Sequence, residues 1–336
     1  MIEVDGSAGG GQLVRSALTL SMLTGDPVRI DEVRGDRATP GLKAQHLAVV
    51  ETAAAVSNAE VEGAATGSET VTFEPGAPEG GRYRADIGTA GSITLLFDTF
   101  LPLAGRLDDP LRITATGGTD VKWSPPLDYY RRVKLPILRV AGLAAAVEPE
   151  RRGFYPVGGG EVTLRVWPSD PGPLALAAPG PVTGARVYST ASADLADADV
   201  AERQVDAAVA ELADRGVEAV TARTTYGESA SPGSVVVVRL DREGGVAGLD
   251  ACGEQGVSAE RVAAAAFEDF EAVADESVAV DEHLADQLAV FVAVAGGRVA
   301  VPRVSDHLAS SLDLFEAFGY EVAVTEREGR IVLEKA

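Results

Sequence analysis

Several residue types on which proteins rely for chemistry or cross-linking are scarce in this chain. Of 336 residues only Cys252 is cysteine, which excludes an intrachain disulfide and a cysteine-built zinc site. Three histidines, His46, His283 and His307, leave little material for a histidine-rich metal centre. Lysine is confined to Lys43, Lys122, Lys134 and Lys335, so almost every other positive charge is arginine. No apolar run approaches the roughly 20 residues needed to span a bilayer; residues 288–295 are typical of the runs present. The N-terminus, Met1-Ile2-Glu3-Val4-Asp5, lacks the basic and apolar stretches of a secretion signal. These absences predict a soluble, cytoplasmic protein with no membrane partner.

Acid and apolar residues are abundant. There are 51 Asp+Glu against 29 Lys+Arg, a formal charge of −22, yet 46% of the chain is apolar, which excludes acidic disorder. Such a charge also argues against a broad basic footprint for nucleic acid. Self-repulsion at −22 destabilises a compact chain at low ionic strength. At molar salt the screening length falls to roughly 3 Å, so the acid-rich, lysine-poor composition fits a halophilic protein.

An internal repeat organises the sequence. Gly6 to Gly25 is a glycine turn, an apolar-faced helix and a glycine stop, followed by Asp26-Pro-Val-Arg-Ile30. Gly88 to Gly105 repeats this pattern ahead of Asp109-Pro-Leu-Arg-Ile113, and residues 284–296 with 298–304 form a looser third copy. After each strand come a loop, a second helix (40–56, 125–141, 307–318) and two strands around a turn. The closing pairs are 60–63 with 70–73, 145–149 with 161–167, and 321–325 with 330–334. Residues 181–277 fit no repeat: strands at 184–189, 218–223 and 234–240, with helices at 200–215 and 258–274. The expected fold is α/β (α+β): three units, each a four-stranded sheet packed by two helices, plus a small inserted α/β domain. The repeat-built domain comprises 1–180 and 278–336, and the insert 181–277.

Anion-binding features recur at the loop–helix junctions. Gly10, Gly11 and Gln12 open a helix whose free N–H groups suit phosphate, with Arg15 one turn later. A tight turn needing glycine dihedrals accounts equally well for that run. Arg34, Arg37 and His46 lie near the next junction, and Arg131, Arg132, Arg151 and Arg152 are further candidates. His307 opens the second helix of the third copy, after Ser305-Asp306. It reads either as a helix-start polar residue or as a nucleophile, since an imidazole with an ordinary pKa near 6.5 keeps a free lone pair above pH 7.

Ordered motifs along nearly the whole chain resemble the RNA 3′-terminal phosphate cyclase family. They are Asp5-Gly-Ser7 with the 9–15 segment, Arg34-Gly-Asp-Arg-Ala-Thr-Pro-Gly-Leu-Lys-Ala-Gln-His46, and Ile87-Gly-Thr-Ala-Gly-Ser92. Gly117-Gly-Thr-Asp120 with Pro125-Pro126, Gly153 to Gly160, Gly253 to Glu260, and Leu284-Ala-Asp-Gln-Leu288 with Ser305-Asp-His307 complete the set. The resemblance implies an ATP-dependent ligase, with Mg²⁺ or Mn²⁺, that converts an RNA 3′-phosphate to a 2′,3′-cyclic phosphate through a histidine–AMP intermediate. It makes His307 the nucleophile and places Gly10, Gly11, Gln12, Arg15, Arg34, Arg37 and His46 at the phosphates. It places Pro125, Tyr129, His283, Asp286 and Gln287 around the nucleotide. Because the chain is so acidic, the arginines are expected to line one electropositive cleft on an otherwise negative surface. Departures include Ala8 where a Gly-Glu pair is usual, Asp98 where a glutamine is common, and His283 where a tyrosine is common. The competing readings are a cyclase-like RNA-binding factor in ribosome assembly, which lacks the nucleophile, and an enolpyruvyl transferase, which leans on lysines scarce here.

Overall fold

A computed structural model describes residues 1–335. Glycine and proline punctuation cuts the first 166 residues into two copies of one unit. In the first, β1 (Ile2–Asp5) leads through α1 (Gly10–Thr24) to a parallel partner, β2 (Val28–Asp31). Gly25 ends α1 in the left-handed region, returning its N–H to the Ser21 carbonyl. Pro27 then stands just outside β2, where a missing N–H costs no ladder bond. Next come α2 (Ala44–Ser57) and the antiparallel pair β3 (Glu60–Glu62) and β4 (Val71–Glu74), giving the sheet order β1-β2-β4-β3.

The second unit repeats this order as β5 (Gly81–Asp86), β6 (Leu111–Gly117), β8 (Gly160–Val166) and β7 (Ala145–Arg151), with β5 and β6 parallel. Its helices are less regular. The single helix expected between Gly88 and Gly105 is instead α3 (Ile93–Asp98) followed by a 3₁₀ segment, Leu101–Arg106. Pro102 has no N–H to offer a carbonyl four residues back, so the α-helix stops before it. The second helix runs from α4 (Leu127–Tyr129) through a π-helical turn (Tyr130–Lys134) into α5 (Leu135–Val140).

The third unit is split by the insert. Its first strand, β9 (Leu174–Leu176), precedes β10 (Val182–Ser192), α6 (Val200–Asp214), β11 (Ala219–Gly227), β12 (Ser234–Arg242) and β13 (Gly245–Cys252). These four inserted strands form their own sheet, β11-β10-β12-β13. The helix expected over 258–274 is two, α7 (Ala259–Ala266) and α8 (Phe270–Ala274), with Phe267 and Phe270 stacked across the break. The unit then resumes with α9 (Glu282–Ala295), β14 (Gly297–Val301), α10 (Asp306–Ala317), β15 (Ala323–Arg327) and β16 (Arg330–Lys335). Its sheet, β15-β16-β14-β9, keeps the parallel pair found in the other two units.

One apolar core joins the three units, and a second lies within the insert. Arg242 ties the two regions. Its guanidinium donates to the carbonyls of Gly180, Val273, Ala274, Asp275 and Val278, at both ends of the insert.

Candidate active site

The start of α1 faces the start of α10. Gly10 has φ +58°, and a Cβ there would lie 3.3 Å from Arg37 Nη2 and 3.7 Å from His307 Cε1. The glycine therefore sits between the guanidinium and the imidazole. Gln12 Nε2 donates to Ser311 Oγ at 3.2 Å, and Ser311 returns its hydroxyl to the His307 carbonyl at 2.9 Å, fixing the two helices in register. The first turn of α1 carries no acid, so its free N–H groups face the His307 side uncompensated.

His46, in the first turn of α2, packs on Gly11, where a Cβ would collide with its Nε2. Its Nδ1 accepts the Lys43 N–H at 3.1 Å, so the neutral ring carries its proton on Nε2, turned to the glycine loop. Burial, reinforced by Arg15, Arg34 and Lys43, pulls its pKa down to about 3, keeping it a neutral donor. Burial also pulls Arg15 down to about 10, with Asp98 opposing. Arg34 donates to the carbonyls of Thr39 and Gly41 at 2.9 and 2.8 Å and so braces the loop that carries Arg37.

Two residues of α9 approach the same region. Buried Asp286 accepts the Ser305 hydroxyl at 2.8 Å, while Ser305 caps α10 through the Leu308 N–H, so one serine orients both the helix and the carboxylate. Burial raises the Asp286 pKa. Gln287 Oε1 accepts from Lys134 Nζ at 2.9 Å. Lys134 is 1% exposed, is also paired with Asp98 Oδ1 at 2.5 Å, and lies over the Tyr130 ring. Burial lowers its pKa against the pull of Asp98. Sequence reasoning missed this lysine, because a single lysine on a helix carries no periodic or motif signal.

Around Pro125 and Tyr129, the Pro125 carbonyl accepts the Thr94 hydroxyl at 2.8 Å, and the Tyr129 hydroxyl donates to Asp281, the cap of α9. His283 is exposed in the first turn of α9. A Cβ at Gly248 of β13 would strike the Tyr129 ring, so the insert packs directly against this wall. Behind it Asp250 is pushed up to about 8 by burial and by the charges of Asp281 and Asp120.

The other candidate arginines go elsewhere. Arg152 is buried between Asp120 and Asp128, Arg131 pairs with Asp128, Arg132 lies 4.8 Å from the Tyr188 ring centroid, and Arg151 donates to the Gly159 carbonyl. They tie the second unit internally and to the insert. Among the described residues no group of three or more His, Cys, Asp or Glu side chains is placed to hold a metal ion. No helix among them is long and apolar enough to cross a membrane.

The chain is thus a repeat-built α/β protein in which a histidine faces the free N–H groups of a glycine-opened helix, a place that suits an anion. Residues 7–324 match the family described as RNA 3′-terminal phosphate cyclase. The chain is 45% identical over 345 residues to the RNA 3′-terminal phosphate cyclase of Halobacterium salinarum strain R1, covering 99% of both chains. It is 42% identical over 300 residues to the Archaeoglobus fulgidus protein of that name (89% of both), and 40% identical over 322 residues to that of Pyrococcus furiosus (95% and 93%). The chain belongs to the RNA 3′-terminal phosphate cyclase family.

Proposed function

We propose that this chain is an ATP-dependent ligase that converts an RNA 3′-terminal phosphate to a 2′,3′-cyclic phosphate through a histidine–AMP intermediate. The observation that carries the reading is the meeting of His307, Gly10 and Arg37 at the open end of α1. In the first step a ring nitrogen of His307 attacks the α-phosphorus of ATP, the bond to the bridging oxygen breaks, and pyrophosphate leaves. An oxygen of the RNA 3′-phosphate then attacks the same phosphorus, breaking the N–P bond and freeing the histidine. Finally the neighbouring 2′-OH loses its proton and attacks the 3′-phosphorus, and AMP departs. Adenylation supplies the leaving group that a bare phosphate lacks.

The role of the protein is positioning and charge. N–H groups of Gly10, Gly11 and Gln12, with Arg37, Arg15 and the His46 Nε2–H, would receive the phosphate oxygens, and Arg34 would hold the loop. Pro125, Tyr129 and His283 would border the adenine, with Asp286 and Gln287 on the nucleotide between it and His307. A divalent ion, Mg²⁺ or Mn²⁺, belongs to this reading, but the residues present do not build a cage for it. Ala8 stands at the loop, and Asp98 and Asp286 are engaged by Lys134 and Ser305. We therefore assign the ion to the nucleotide's own phosphates and route no step through it.

The test is incubation of the folded protein at high salt with α-labelled ATP and either metal. An acid-labile, alkali-stable label on wild type, absent from His307→Ala, is the expected result. No label on the wild type with both metals would overturn the reading. A non-catalytic RNA-binding factor in ribosome assembly, which Ala8 favours, would then take its place.

A further inference from the structure

The three units invite comparison of one row across their sheets. The arginine of the Asp-Pro-x-Arg-Ile signature is Arg29 in the first unit and Arg112 in the second, and Arg298 of β14 matches it in the third. Across the strands the first row reads Glu3, Arg29, Thr72, and the third reads Ala175, Arg298, Glu334. Both arginines have acids: Arg29 pairs with Asp31 at 2.9 Å with Glu3 and Glu62 nearby, and Arg298 pairs with Glu334 at 3.2 Å.

The second row is different. Arg82, Arg112 and Arg165 stand directly opposite one another on β5, β6 and β8. Only Arg165 has an ion pair among the described residues, with Glu148 at 2.8 Å, and its Nε is buried without a partner. Asp108 and Asp109, just before Pro110, pair with none of the three. Like charges opposed across strands destabilise a sheet, and this chain has 22 acids in excess with which to relieve them. The three arginines line a groove of about 260 Å³ together with Trp167, which is 38% exposed. With strands roughly 4.8 Å apart, the row extends about 10 Å, longer than one phosphate needs.

The groove lies at the N-terminal ends of the parallel pair β5 and β6, while the loop after β5, where the Ser92 N–H meets Gln45, follows their C-terminal ends. A ligand in it is not the terminal nucleotide at His307. We propose that this row is a second contact for single-stranded RNA, upstream of the reacting end. Arg82, Arg112 and Arg165 take successive backbone phosphates and Trp167 stacks one base. Sequence-tolerant single-strand binding uses this combination of a cationic track and an aromatic face. The choice of RNA over another polyanion rests on the proposed substrate; the groove itself does not depend on catalysis.

The test is anisotropy of 5′-fluorescent oligoribonucleotides ending in a 3′-phosphate, one of about twenty nucleotides and one of about three, across a salt series. Arg82→Gln/Arg112→Gln/Arg165→Gln should weaken the long oligonucleotide at least about tenfold and lower the slope of log K against log salt by about 2. The short oligonucleotide should be unaffected. Arg29→Gln/Arg298→Gln/Arg327→Gln, which changes net charge equally, should leave both bound as in wild type. Trp167→Ala should weaken the long oligonucleotide several-fold at an unchanged salt slope. Equal loss in the two triple variants, no loss in the first, or displacement of the long oligonucleotide by polyglutamate as readily as by polyuridylate would overturn the proposal. Enzyme–AMP formation without RNA, measured on the same samples, should match wild type in all variants. Its absence from wild type would count against the proposed reaction while leaving the binding result to stand.

Discussion

The first and second units share strand order, signature and a helix that opens at corresponding places, yet they use that opening differently. Position three of the helix is His46 in the first unit and Tyr129 in the second; position two is Gln45, then Asp128, and His307 in the third. His46 offers a proton to the glycine loop, while Tyr129 is anchored to Asp281 under the insert. The repeated backbone fixes where a side chain emerges; the residue at that place decides whether it meets the glycine loop, as His46 and His307 do, or an adjoining helix, as Tyr129 does.

Exchanging a cation in each unit should produce the largest separation. Lys134→Met removes the buried partner of Asp98 and should cost about 3–5 kcal/mol of stability, because an uncompensated buried charge remains. Adding Asp98→Leu should restore most of the loss, as measured by denaturant titration. Arg15→Met, in the first unit, should instead raise KM for ATP with a smaller change in midpoint. A double variant no better than Lys134→Met alone would mean that the lysine has work beyond neutralising Asp98.

A second contrast is in pH, between His46 of the first unit and Asp250 of the insert. The folded His46 pKa lies below that of the unfolded chain, so its contribution is complete above about pH 6.5 and is lost as pH falls toward 3. Asp250 is shifted the other way: its contribution is complete below about pH 4 and is lost as pH rises through about 8. Thermal melts should therefore show His46→Asn flattening the stability profile below about pH 6.5 and Asp250→Asn flattening the fall between about pH 4 and pH 8. An unchanged slope between about pH 4 and pH 8 in Asp250→Asn would place the strain on Asp281.

The smallest effect is expected from making the second row resemble the first. Arg82→Glu places an acid opposite Arg112, as Glu3 stands opposite Arg29, and should stabilise by about 0.2–1 kcal/mol in low salt, fading in high salt. A destabilised variant would show that the three arginines are already well accommodated.

The repeat was legible because glycine and proline mark its joints, while His307 stands out as a candidate because its loop matches a family motif. Leu174–Leu176 was not read as a strand: three residues between prolines have no period to detect, and their partner is β14, across the insert. Cys252 and its neighbours in β13 were missed for a similar reason, since Gly245 and Gly248 dilute the pattern. Of the site, the glycine loop and the helix starts could be read locally. Lys134 could not, because its partners lie 36 and 153 residues away in the chain and only the folded helices bring them together.

The split third sheet also orders assembly in time. β9 cannot meet β14 until the intervening chain has shortened the distance by folding, since closing so long a loop carries an entropic cost that grows with its length. Arg242, gripping carbonyls at both ends of the insert, draws those ends together once that sheet exists. The third sheet, which leads into the helix carrying His307, is therefore expected to close after the inserted sheet has formed. Quenched-flow hydrogen exchange should find amides of β10 and β12 protected before those of β14, so that His307 would reach Gly10 only in a finished molecule.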